Sequence, residues 1–190
     1  MKVYAGIGSR ETPTPILSVM RRYAYAVAHD HVLRTGGAPG ADDAFYKGAI
    51  KWCQDKNAKI EKHLEIFLPW DNFNGFKTEN GPHIFANPPH GARLLAERFH
   101  PNYNRLKDSA KKLMDRNSQQ IKGRLLNDKV DFVVCYTSDG KASGGTGQAI
   151  RMAEAYEIPI YNLFYKESYE FCMEAVNTFK KRRLNTNSQC

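Results

Sequence analysis

The chain has 190 residues, 42% of them hydrophobic and 25% charged, which is the composition of a soluble globular protein with room for one ordinary domain and its core. No apolar run approaches the ~18 residues needed to span a bilayer, so a helical membrane protein is excluded. Twenty-eight Lys and Arg against 20 Asp and Glu leave a net charge of +8, a bias toward anionic partners such as nucleotides or nucleic acid.

The opening residues MKVYAGIG enter a strand at once. They lack the charged segment, long apolar stretch and small-residue cleavage site of a secretory signal, so a cytoplasmic location is expected. Strand-like runs rich in β-branched and aromatic residues follow in order: KVYAGI, HVLRT, LEIFL, DFVVCY and IPIYNL. Between them, apolar residues recur every three or four positions at about 14–29, 41–56, 105–125, 145–156 and 167–183. The alternation predicts an α/β fold, a Rossmann-like open parallel sheet of order 3-2-1-4-5 with helices on both faces. Residues 69–104 hold five of the nine prolines and little periodicity, and read as an irregular insert, a possible lid. Its Trp70, Phe73, Phe76 and Phe85 either pack on the core or form an aromatic wall for a ligand base. A single domain over 1–184 and a tail at 185–190 complete the division. Cys53, Cys135, Cys172 and Cys190 have no metal-ligand spacing and read as reduced thiols. The histidines, HDH at 29–31 included, show no ligand spacing either, so no metal and no cofactor is expected.

Three strands run into glycine-rich turns that open helices: GIGSR at 6–10, TGGAPGADD at 35–43 and SGGTGQ at 143–148. In an open α/β sheet, ligands bind beyond the carboxyl ends of the strands where the strand order reverses, which here brings the first and third turns together. Glycine lets the backbone approach a ligand closely. The helix N-terminus behind it adds unpaired N–H donors and partial positive charge, so the pair makes a phosphate seat. Ser9, Ser143 and Thr146 can donate hydroxyls there, and Arg10 a planar charge. Asp42 and Asp43 fall in a first helical turn; a carboxylate there caps the helix or accepts hydrogen bonds from ribose hydroxyls. Neither the dinucleotide fingerprint nor the P-loop spacing is met, which disfavours ordinary NAD and ATP sites.

GIGSRETP, TGGAPGADDAFYKGA, FLPW, MDRNSQQIKG and GGTGQAIRMAEAYEIPIYNL resemble, in order and spacing, the Rossmann-like core of the DNA-processing protein A (Smf) group within the SLOG superfamily. GGAPGAD, LPWDNFNG and RN are similar to its small single-domain, YspA-like branch. The match covers about 1–163. The resemblance implies a pocket for nucleotides or nucleotide-derived ligands. Its residues here are Gly8, Ser9, Arg10, Gly36, Gly37, Gly40, Asp42, Arg116, Asn117, Gly144, Gly145, Thr146 and Gly147, and the turn reading adds Ser143. Relatives often pair, so a homo-oligomer is expected. The lonely-guy relatives cleave the N-glycosidic bond of nucleoside monophosphates, but their P-G-G-x-G-T-x-x-E motif is not met. Ser143, Gln148 and Arg151 stand for its proline, threonine and catalytic glutamate, and Pro39 replaces the usual arginine of G-G-A-R-G.

Three functions compete. The first is binding of a phosphorylated nucleoside derivative at the glycine turns. The second is an N-glycosidase, for which Asp42 and Glu154 are the candidate acids. The third is single-stranded DNA binding, resting on the +8 charge and on Arg21, Arg22, Lys111, Lys112 and KKRR at 180–183.

Overall fold

A computed structural model describes residues 1–187. β1 (Lys2–Gly6) leads into α1 (Thr14–Val27), β2 (His31–Thr35) into α2 (Ala41–Lys56), and β3 (Leu64–Phe67) into the insert. Beyond the insert come α4 (Asp108–Lys122), β5 (Phe132–Cys135), α5 (Gly144–Ala155), β6 (Ile160–Asn162) and α6 (Lys166–Asn187). Residues 188–190, Cys190 among them, lie outside the described residues, and α6 takes in the first part of the expected tail.

All six strands are parallel, in the order β4-β3-β2-β1-β5-β6. This is the expected order with one strand added at the edge: β4 (Ile84–Phe85), which comes from the insert. The order reverses at β1, which pairs with β2 on one side and β5 on the other (Tyr4 opposite Leu33 and Phe132). Helices α1, α2 and α6 pack together, and α4 and α5 form a second group with α3 (His90–Phe99). One apolar core, built on Tyr4, Tyr23, Leu33, Phe45, Ile66 and Val134, joins α1, α2 and α6 to the sheet. A second, with Ile7, Ile121, Val133, Ala149 and Met152, sits under α4 and α5.

The insert is more regular than its prolines suggest. Besides β4 it holds α3 (His90–Phe99), which starts directly after Pro88 and Pro89 and buries Ala92 and Ala96. Proline fixes an extended or first-turn φ, so a Pro-Pro pair marks a helix entry as readily as a loop. The aromatics follow the core-packing alternative. Phe73 is buried, Trp70 and Phe76 lie against the same core, and Phe85 stacks on Phe67 at 5.4 Å. Among the described residues no helix is long and apolar enough to cross a membrane.

A buried cation ties the two sides of the domain together. Arg34, in the interior of β2, donates through Nε to Glu65 Oε2, through Nη1 to the Asp128 carbonyl and through Nη2 to Asp128 Oδ2, each at 2.6 Å. It thereby fixes the α4–β5 connection against β2 and β3, and with it the depth at which α4 lies over the sheet.

Candidate functional site

The β1–α1 and β5–α5 turns face each other across the point where the strand order reverses. They enclose a cleft of about 550 Å³ floored and walled by α4. Ten of the fourteen site residues read from the sequence line it: Gly8, Ser9, Arg10, Asp42, Arg116, Asn117, Ser143, Gly144, Gly145 and Thr146.

Each turn is shaped by close backbone approach. A Cβ on Gly8 would come within 2.7 Å of the Ala41 Cβ, so the first turn rests on the start of α2. Ser9 anchors that turn: its Oγ accepts from the Glu11 amide at 3.1 Å, and its carbonyl accepts from the Thr12 hydroxyl at 2.8 Å. Arg10 projects from the turn, exposed, with no hydrogen bond or ion pair among the described residues. Across the cleft, α5 begins without a side-chain cap, and its first intrahelical bond runs from the Gly147 amide to the Ser143 carbonyl. The amides of Gly144, Gly145 and Thr146 therefore precede the helical ladder and remain available as donors. Gly144 has φ +59° with open space where a Cβ would be. The turn is held from behind by Asn117, whose Nδ2 donates to the Gly145 carbonyl at 3.1 Å, and by the Ser143 hydroxyl, which donates to Asp139 Oδ1.

The charged centre of the cleft is a pair buried almost completely. Arg116 Nη1 donates to Asp42 Oδ2 at 2.9 Å, and the Ala38 amide donates to the same oxygen at 3.3 Å. Burial pushes the Asp42 carboxyl above the usual carboxylate range, against the opposing pull of the Arg116 guanidinium, the Ala38 amide and Arg10.

The remaining glycines stand behind the cleft. Gly36 makes room for the pair, since a Cβ there would lie 1.1 Å from Arg116 Nη1. Gly37 has φ +67° under Leu68 and Phe76, and Gly40 has φ +83° against the Arg10 and Ser9 backbone. Gly147 sits on the Ala142 carbonyl. None of the four lines the cleft. Glu154 is exposed on α5 and also lies outside it. Arg151 is held by two backbone carbonyls, with Nε donating to Phe99 at 2.6 Å and Nη1 to Ala142 at 2.7 Å. It is a bracket between α3 and the approach to α5.

Residues the sequence reading missed also line the cleft: Glu11, Met114, Gln120, Thr137, Ser138 and, beneath the turns, Ile7 and Ala149. Gln120 lies one helical turn beyond Arg116 on the same face of α4. The insert aromatics Trp70, Phe73, Phe76 and Phe85 do not line it. Among the described residues no group of three or more His, Cys, Asp or Glu side chains is gathered as a metal-ligand set.

A second concavity of about 560 Å³ lies between α1, α2 and α6. Arg21, Arg22, Lys47, Lys51 and Lys180 surround it, with Tyr25, Ile50, Val176 and Phe179 as apolar lining. Two of the cations are partly neutralised, Lys47 by Asp43 and Lys51 by Asp55.

No family model and no curated protein matches the chain. Among solved structures, the chain is similar to DNA processing protein A from Helicobacter pylori, determined to describe that protein's single-stranded DNA binding mode. The superposition has a TM-score of 0.55 at 17% identity and covers 95% of this chain and 81% of the other. At that identity the likeness establishes the fold.

Proposed function

We propose that the cleft binds a phosphorylated nucleoside derivative. The observation that carries this reading is the facing of two glycine turns across the β1/β5 reversal. The uncapped first turn of α5 opens on one side, and the unpaired Arg10 stands on the other. In this reading the phosphate lies against the amides of Gly144, Gly145 and Thr146, with the Ser9 hydroxyl and Arg10 completing its shell. Backbone donors at a helix N-terminus suit an anion because their dipoles are already aligned and need no reorganisation. The ribose lies toward Asp42. The Oδ2 of that residue is taken by Arg116 and Ala38, and its Oδ1, without a partner among the described residues, is the acceptor for a sugar hydroxyl.

The same geometry favours binding over N-glycoside hydrolysis. Asp42 is committed to Arg116, Glu154 lies outside the cleft, and the position of the hydrolase glutamate is the structural Arg151. Calorimetry with a panel of nucleoside monophosphates and ADP-ribose tests the reading. Dissociation constants below a millimolar are expected for at least one member, weakened about tenfold by Arg10→Ala, the scale for losing one charge-assisted bond. Binding no tighter than millimolar across the panel contradicts the proposal.

A second reading, single-stranded DNA binding, is supported by the structural neighbour and by the net charge. The basic concavity between α1, α2 and α6 supplies cations and aromatic rings of the kind such strands use.

A further inference from the structure

The inner wall of the cleft carries polar groups without a hydrogen-bond partner among the described residues. Gln120 is 2% exposed and lines the cleft, and its side-chain amide makes no hydrogen bond among the described residues, with Nε2 fully enclosed. Arg116, one helical turn earlier on the same face, is 5% exposed and has its Nε enclosed and unpartnered, although Nη1 is held by Asp42. A buried donor without a partner is costly and uncommon, so two of them on one face of one helix, both lining an open cleft, point to an acceptor supplied from outside.

The surroundings say which part of a ligand this is. Gln120 lies about 6 Å farther along α4 than Arg116 and about 4.5 Å farther than Asn117, at a rise of about 1.5 Å per residue. Asn117 marks the level of the α5 N-terminus through its bond to the Gly145 carbonyl. The apolar lining of the cleft includes Ile7 and Ala149, with Met114, which precedes Arg116 on α4, lying against Gly145. A second phosphate placed there would be stripped of water without a full set of donors, an expensive exchange. A flat heterocycle loses nothing by resting its faces on those side chains, and its polar edge needs what a primary amide offers, one donor beside one acceptor.

We propose that Gln120, assisted by Arg116 Nε–H, reads the polar edge of the ligand's nucleobase, so that the base is seated in the α4 wall and not against the aromatic insert. This deepens the preceding proposal and rests on it. Gln120 is a binding residue in this account, with no part in holding the unliganded fold.

Calorimetry on the wild type, Gln120→Leu and Gln120→Glu, with AMP, GMP, UMP, CMP and inorganic phosphate as probes, tests it, alongside thermal melts of each protein. Gln120→Leu is expected to melt at or above the wild-type temperature. It should bind inorganic phosphate as the wild type does, yet lose about tenfold or more in affinity for the preferred nucleotide. Gln120→Glu, which keeps the shape but exchanges the donor for a second acceptor, is expected to change the order of preference among the four bases. Wild-type binding of a nucleotide with unchanged affinity in Gln120→Leu overturns this inference alone. Equal losses for phosphate and nucleotide overturn it too, by making Gln120 a phosphate contact. A wild type that binds none of the five probes overturns both this inference and the functional reading beneath it.

Discussion

Arg116 Nη1 donates to Asp42 Oδ2 at 2.9 Å directly over Gly36, where an added Cβ would lie 1.1 Å from that nitrogen and 2.7 Å from that oxygen. The glycine of the second turn is thus required by a buried ion pair and not by a ligand. Gly36→Ala displaces the guanidinium and separates the pair, and breaking a buried pair costs about 3 kcal/mol. Urea unfolding should show that loss, and the cleft should lose its ligand with it. An alanine variant as stable as the wild type would show that the pair does not depend on the glycine.

Arg151 occupies the position of a catalytic glutamate in the hydrolase motif, but its guanidinium is spent on the carbonyls of Phe99 and Ala142. Arg151→Glu sets a carboxylate against two carbonyl oxygens. It is expected to lower stability by about 3 kcal/mol without producing any release of free base from nucleoside monophosphates. Chemical denaturation and chromatography of the reaction mixture measure the two outcomes.

The insert aromatics separate stability from binding. Phe73 is 6% exposed and meets Trp70 edge to face at 5.1 Å. Phe73→Ala should cost about 3–5 kcal/mol, whereas nucleotide affinity of the remaining folded protein should stay within twofold or so of the wild type. A selective fall in affinity with stability retained would move the base toward the insert.

His83 gives the protein an acid-side limit. Burial lowers its imidazole below the usual value of 6.5, against the raising effect of Glu61. The unfolded chain therefore binds protons at a pH where the folded chain does not. This contribution is complete above about pH 6.5 and is lost as the pH falls through the lower folded-state value. Thermal midpoints measured from pH 7.5 down to 5 should fall more steeply for the wild type than for His83→Asn.

The basic concavity predicts how DNA binding would look. If oligo-dT binds at Arg21, Arg22 and Lys180, the logarithm of affinity should fall steeply with the logarithm of salt, and Arg21→Glu/Arg22→Glu should weaken it at least about tenfold. A flat salt response removes the second reading.

Much of this architecture could be read from residue patterns. The five longer strand runs and their parallel pairing followed from βα alternation and crossover handedness, and the expected order 3-2-1-4-5 is the one the sheet adopts, with β4 added at its edge. β4 was missed because two residues leave no period, and α3 because its proline pair read as loop. At the cleft, turn chemistry announced Gly8, Ser9, Arg10 and the 143–146 segment. Gly36, Gly37, Gly40 and Gly147 were expected in the pocket, whereas they stand behind the cleft, where packing and turn geometry require them. A motif marks that a glycine is needed without saying which side of the backbone needs the space. Gln120 escaped because an amide in the middle of a helix has no local signature. Its meaning lies in being enclosed without a partner, which only the packed structure shows.

The most direct test is a titration of ¹⁵N-labelled protein with a nucleoside monophosphate, followed by amide chemical shifts. The largest changes are expected at Gly8, Ser9, Gly144, Gly145 and Thr146, with the Gln120 side-chain amide shifting in step. Shifts confined to the Arg21, Tyr25 and Phe179 groove, or no shifts at millimolar nucleotide, would contradict a phosphate seat at the two glycine turns.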